Sequence, residues 1–171
     1  MKKGFTMIEL VFVIVILGIL ASVAVPRLAG TKADAEESAA VANLRTLVSD
    51  LNTYYVAKGS FDTAADGGDI TTTWSQITNV PVDDPTKKLG DNTILKVGGK
   101  RCIDFLIKKG TADTPAYIIF AKASQGKSDP VCKQVQDSPS LAHYFTSRVP
   151  GGPSENGKGF IAIGSNTKIV R

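Results

Sequence analysis

The pattern of apolar and polar positions along this chain changes twice. From Phe5 to Val25 run 21 residues of which only Thr6, Glu9, Gly18 and Ser22 fall outside the large apolar and alanine set. A helix of that length spans roughly 30 Å, the thickness of a bilayer's hydrocarbon core, and it is apolar on every side. After Pro26 the pattern becomes one-sided. Ala33, Ala40, Leu44, Leu47, Val48, Leu51 and Tyr55 recur at helical spacing, with Asp34, Glu36, Glu37, Arg45 and Asp50 between them. No Gly or Pro interrupts residues 31–58, and Lys58-Gly59 reads as a C-terminal stop. One helix from Phe5 to about Lys58 is therefore expected, with an all-apolar first half and an amphipathic second half.

Beyond it, residues 59–93 are rich in Gly, Asp, Thr and Pro and read as an irregular connection, anchored to a core by Trp74 and Ile77. From about residue 94 the period shortens to two. Ile94–Val97, Cys102–Ile107, Ala116–Ala121, Ala142–Thr146, Phe160–Ile163 and Lys168–Val170 are the expected strands, separated by turns such as Gly98-Gly99 and Pro150-Gly151-Gly152-Pro153. Short strands without intervening helices imply an antiparallel sheet. The expected fold class is α+β: a long N-terminal helix whose amphipathic half packs on four or more antiparallel strands.

Charge adds an orientation and a puzzle. Lys2 and Lys3 precede the apolar run, which directs the N-terminus to the cytoplasm and the remainder across the membrane. A cleaved secretory signal is the ordinary alternative, and Ser22-Val23-Ala24 has the small-x-small pattern for it. The run is too long for such a core, however, and Glu9 sits where it should be uncharged. A carboxylate inside a spanning segment is costly, so Glu9 marks function and calls for a partner. Gly18 and Pro26 bracket a stretch where the helix is weakened, because Gly adds backbone freedom and Pro lacks an N–H.

In the exported part, residues 32–91 carry 5 basic and 10 acidic side chains, net −5, and residues 96–133 carry 8 basic and 3 acidic, net +5. Such polarity suits either side-by-side packing of subunits or an ordinary solvated surface. The two cysteines, Cys102 and Cys132, lack a C-x-x-C or a nearby His pair, so zinc and thioredoxin-type chemistry have no support. In an oxidising periplasm one disulfide is expected in preference to two buried thiols. Asp62, Asp66 and Asp69 around Gly67-Gly68 lack the alternation of a calcium loop and read as a polar turn. His143, the only histidine, has no ligand-spaced companion and reads as a strand or surface residue. No G-x-S-x-G or phosphate loop is present, so no enzyme, cofactor or metal is expected. Gly98-Gly99-Lys100-Arg101 and Lys108-Lys109-Gly110, with Tyr117, Phe105 or Phe120 nearby, leave DNA contact open as an alternative to solvated turn lysines.

Gly4-Phe5-Thr6-Met7-Ile8-Glu9-Leu10, with Gly18 and Pro26, resembles the class III signal of type IV pilins and type II secretion pseudopilins. The resemblance implies a leader at 1–4, a transmembrane and assembly helix at 5–27, the amphipathic half at 28–58 and a periplasmic domain at 59–171. It implies cleavage between Gly4 and Phe5 by a prepilin peptidase, N-methylation of Phe5, and pairing of Glu9 with the Phe5 amine of a neighbouring subunit. Gly18 to Pro26 would lose helicity in the filament. Partners would be other copies and related pilins, the peptidase and an inner-membrane assembly platform; the place would be the inner membrane, then a periplasmic or surface filament.

Ile16-Leu17-Gly18-Ile19-Leu20-Ala21-Ser22 and Val25-Pro26 look like the major pseudopilin, and Pro81-Val82-Asp83-Asp84-Pro85 is similar to its loop after the helix. Thr86 and Lys87 depart from the aromatic and Gly usual there. The acidic C-terminal calcium loop is absent, since residues 156–171 hold no Asp or Glu. Cys102 and Cys132 look more like the disulfide-bounded region of type IV pilins. A structural filament subunit is the expected function; a minor, tip-located pilin that binds DNA, exoprotein or a surface is the alternative.

Overall fold

The computed structural model describes residues 6–61, 69–111, 114–149 and 157–164. The expected strand at Lys168–Val170 and the turn at 150–153 lie outside them. Helix α1 is Met7–Lys58. It ends where the sequence stops it: Gly59 has φ +79° and its N–H donates to the Tyr55 carbonyl at 2.7 Å, a left-handed cap that only Gly adopts without strain. The chain divides into two compact units, Met1–Ala35 and Glu36–Arg171.

In the second unit the described strands are β1 (Thr93–Val97), β2 (Lys100–Lys108), β3 (Tyr117–Lys122) and β4 (Lys158–Ala162), joined as an antiparallel sheet in the order β1-β2-β3-β4. Gly98 and Gly99 turn β1 into β2 with φ +57° and +78°, the positive values a two-residue hairpin of this hand requires. Gly98 is doubly constrained, because a Cβ there would collide with the Glu36 carboxylate. Ala40, Leu44, Leu47 and Leu51 on α1 share one core with Leu95, Ile103, Phe105, Ile107, Ile118 and Phe120 of the sheet. Their one-in-four spacing on the helix meets the alternation of the strands. Trp74 is fully buried edge-on to Phe105, with ring centroids 4.9 Å apart, and Ile77 packs on the same core. The connection after α1 is irregular apart from a 3-10 turn at Trp74–Gln76.

One expected strand is a helix. Ala142–Thr146 forms α3. Tyr144 and Phe145 are its buried positions and Leu141 is buried at its N-cap, an i, i+3, i+4 set too short to be separated from a strand by its period. A second helix, α2 (Pro130–Asp137), was not anticipated either. Its start is locally encoded. Pro130 occupies the first turn, and the Asp129 carboxylate accepts from the N–H groups of Val131 and Cys132 at 3.0 and 3.1 Å.

Candidate functional site

Two places carry the chemistry singled out in the sequence: the start of α1, and the segment around the cysteines. Gly4 and Phe5 lie outside the described residues; Glu9, Gly18 and Pro26 lie within α1. Thr6 immediately precedes the helix and forms a reciprocal cap with Glu9. The Thr6 N–H and hydroxyl donate to Glu9 Oε2 at 2.9 and 2.7 Å, and the Glu9 N–H donates to the Thr6 hydroxyl oxygen at 3.4 Å. This is the capping box spelled by Thr-x-x-Glu, and it satisfies donors that a helix start otherwise leaves open. Thr6 stands in the sequence as a motif residue without a stated role; its three-residue spacing to Glu9 is the signal for this cap.

Glu9 is the only charged residue between Lys3 and Arg27. Around it the apolar side chains face outward: Met7, Ile8, Leu10, Val11 and Phe12 are all at least half exposed. α1 is long and apolar enough to cross a membrane, and none of its apolar window is buried. A built Cβ at Gly18 would meet nothing within 4 Å, so within the chain nothing requires Gly there for space.

Cys102 of β2 and Cys132 of α2 form a disulfide, with Cα atoms 5.2 Å apart and both residues fully buried. Gln136, one turn after Cys132, donates through Nε2 to the carbonyls of Cys102 at 2.7 Å and Ala123 at 3.1 Å. Gly126 fits beneath, since a Cβ would lie 2.9 Å from both the Arg101 carbonyl oxygen and Gln136 Nε2. The far end of α2 is held by Lys122, whose ammonium meets Asp137 at 2.7 Å, and by the Ser138 hydroxyl on Glu37 of α1. The Lys122 contact holds the Asp137 carboxyl below its ordinary pKa. Sequence reading paired the cysteines but missed Gln136, whose role depends on which carbonyls the fold leaves open.

The remaining candidates separate cleanly. Asp62 and Asp66 lie outside the described residues, Asp69 is exposed, and among the described residues no cluster of three metal-ligating side chains occurs. His143 is exposed on α3, its ring 4.0 Å from that of Tyr144, and partial burial holds its pKa below the usual value. Phe105 and Phe120 are buried in the core, so neither offers a face to a stacked base. Asp83, in the loop compared above with the pseudopilin loop, is an organising residue. Its N–H donates to the Ile94 carbonyl at 2.8 Å, and its carboxylate takes Lys96 at 2.7 Å and Arg101 at 3.4 Å. Lys96 in particular holds the Asp83 carboxyl below the ordinary carboxylate value.

A capped, outward-facing apolar helix followed by a disulfide-stapled antiparallel sheet defines a pilin-like architecture. Residues 1–25 match the family model for the prokaryotic N-terminal methylation motif. Among curated proteins the chain is similar to type II secretion system core protein G from Dickeya chrysanthemi, 41% identical over 66 residues, covering 39% of this chain and 43% of that one. The protein of the same name from Aeromonas hydrophila is 41% identical over 68 residues, 40% of this chain and 48% of its own. That from Escherichia coli K12 is 38% identical over 66 residues, 39% and 46%. The chain thus spans less than half the length of these curated relatives. No solved structure matches. The chain carries the N-terminal methylation motif at residues 1–25 and is similar to type II secretion system core protein G over about two fifths of its length.

Proposed function

We propose that this protein is a structural subunit of a type II secretion pseudopilus. Its apolar half-helix first anchors it in the inner membrane, with the N-terminus cytoplasmic and the sheet domain periplasmic. A prepilin peptidase cuts between Gly4 and Phe5, Phe5 is N-methylated, and an inner-membrane platform moves the subunit from lipid into a filament of like copies. The observation that carries this reading is the outward-facing apolar surface of α1 with one carboxylate, Glu9, near its start.

That surface is stable only against lipid or against other such helices, and a filament core supplies the second. The Glu9 carboxylate can accept at both oxygens, so the bonds from Thr6 to Oε2 leave capacity for the Phe5 amine of another subunit. Each of those charges is costly alone in lipid, and they offset one another when paired in a dry core. The likeness to core protein G supports the secretion form of the filament.

The test separates processing from assembly. Glu9→Ala is expected to be cleaved after Gly4 and to stay in the membrane fraction, outside filaments. Replacing Gly4 with a bulky residue is expected to block cleavage itself. Normal incorporation of Glu9→Ala beside the unmodified chain would sink the charge-pairing account.

A further inference from the structure

The second unit opens at Glu36, and three elements gather around its first two residues. Gly98, in the turn from β1 to β2, lies so close that a Cβ there would collide with the Glu36 carboxylate. Helix α2 reaches Glu37, whose carboxylate accepts from the Ser138 hydroxyl and from Gln134 Nε2, the latter at 3.5 Å. The 3-10 turn Ser124–Ser128 joins them, since a Cβ at Gly126 would sit 2.9 Å from the Arg101 carbonyl oxygen and 3.1 Å from Cys132 Cβ. Lys100, Arg101, Ser128 and Asp129 line one recess. This is the end of the second unit at which the chain arrives from the apolar run.

Its charges are layered. Glu37, Asp83 and Asp129 are half-buried, and each carboxylate is held by donors of its own unit. Glu36 is half-buried as well, with Oε2 turned inside. Lys100, Lys127 and Lys133 are exposed, and none of them forms an ion pair among the described residues. The outermost charges at this end are therefore positive. Among the described residues of the second unit the only exposed large apolar side chain is Val56, near the other end of α1. A partner at the lysines is thus recognised by charge.

Which charge follows from the tether. Eight residues lead from Leu28, the last large apolar residue of the run, to Glu36, and they can span at most about 28 Å however the two units are arranged. Once the run is in a bilayer, the headgroup layer stays within that reach of the turn at Gly98. An anionic leaflet attracts exposed lysines, an attraction that fades over a Debye length of about 8 Å. We propose that Lys100, Lys127 and Lys133 form a membrane-surface contact that binds the phosphates of acidic lipid headgroups. It rests on the membrane anchor proposed above and adds a second, electrostatic hold on the subunit before assembly.

The test places the full chain as a monomer in lipid nanodiscs, with and without phosphatidylglycerol in a phosphatidylcholine bilayer. A phosphatidylcholine carrying a spin label on its headgroup is present in both, and broadening of backbone amide resonances is the readout. The Gly99 and Lys127 amides are expected to broaden at least about threefold more with phosphatidylglycerol, and the excess to vanish at about 0.5 M salt. Lys108, at the opposite end of β2 and about 26 Å along the strand from Lys100, is expected to show no excess.

The combined variant Lys100→Gln, Lys127→Gln, Lys133→Gln is expected to lose the excess with Trp74 fluorescence unchanged, whereas Lys88→Gln with Lys108→Gln keeps it. Equal broadening in the two lipids, or a larger effect at Lys108, would overturn the contact. So would a triple variant that lost filaments while monomers showed no lipid-dependent excess, since that outcome assigns the lysines to an acidic surface of a neighbouring subunit. Co-elution of the chain with the discs reports the anchor separately. Glu9→Ala is expected to keep the excess, so failed assembly leaves the contact standing, and a missing excess leaves Glu9-dependent assembly standing.

Discussion

Leu17 and Leu47 lie on the same helix and face opposite situations: the first is 58% exposed and the second 0%. Both are apolar residues in good helical sequence. Leu47 is covered by the chain's own sheet, whereas Leu17 belongs to a stretch whose apolar side chains all face outward. Burial of apolar area drives both, at about 25 cal/mol per Å², but the cover must come from elsewhere in the first unit. The second unit covers its own core, whereas the first leaves its apolar surface uncovered by the rest of the chain. A charge is accordingly tolerated differently in each. Among the described residues no carboxylate of the second unit is fully buried, whereas the apolar run of the first carries a single one, Glu9, capped by Thr6.

Substitutions can break this contrast. The largest effect is expected from carrying a charge into each half. Leu47→Asp should unfold the second unit, since an unpaired buried charge costs about 3–5 kcal/mol or more. Leu17→Asp should leave Trp74 fluorescence unchanged while removing the chain from membrane and filament fractions, at about 2.5–3.5 kcal/mol on insertion scales. If Leu17→Asp also altered the Trp74 signal, the two halves would not be independent in this sense.

Next comes the disulfide. Replacing Cys102 and Cys132 by Ser together should lower stability by about 3–4 kcal/mol, as expected for a closed loop of 30 residues, read from urea melts of the full chain in detergent. Glu9→Ala should leave those melts unchanged, which opposes it to every core substitution. Asp129→Ala removes the α2 cap and should cost about 1 kcal/mol in the same melts.

The smallest effect concerns pH. Burial pushes the Asp104 carboxyl above its ordinary value, with Arg101 opposing. A carboxyl raised in the folded state binds its proton more tightly there than in the unfolded chain, so its contribution grows as pH falls through the raised value toward the unfolded one. Asp104→Asn should remove that part of the pH dependence, leaving stability in the acid range less favoured by acidification than in the unmodified chain. The lowered carboxyls of Asp83, Asp84 and Asp137 act with the opposite sign, and their contribution is lost as pH falls.

The long elements were legible because their periodicity is long. Ala40, Leu44, Leu47 and Leu51 repeat over several turns, and the Gly59 stop falls where the pattern ends. β1, β2, β3 and β4 were also legible, since Gly98-Gly99 and the alternation around Cys102–Ile107 leave few other pairings. α3 was misread because five residues hold only one turn and a half of information. α2 was missed although Asp129-Pro130 is a start signal, because Cys132 and Val135 are too few apolar positions to announce a face. At the candidate assembly site Glu9 was conspicuous as a charge, and its bond to Thr6 was written in the three-residue spacing. Gln136 could not be found that way, since its two carbonyl partners lie 34 and 13 residues away.

The sequence by itself determined the division of labour along α1: uninterrupted apolarity, one carboxylate and a one-sided continuation follow from local composition and period alone. The tertiary structure decided which polar groups meet. It set Gln136 on the Cys102 carbonyl and drew Asp83 to Lys96 and Arg101. The reason is physical. Hydrophobic patterning is read residue by residue from spacing, whereas a hydrogen bond or ion pair depends on the direction and distance of two groups that only the folded chain brings within reach.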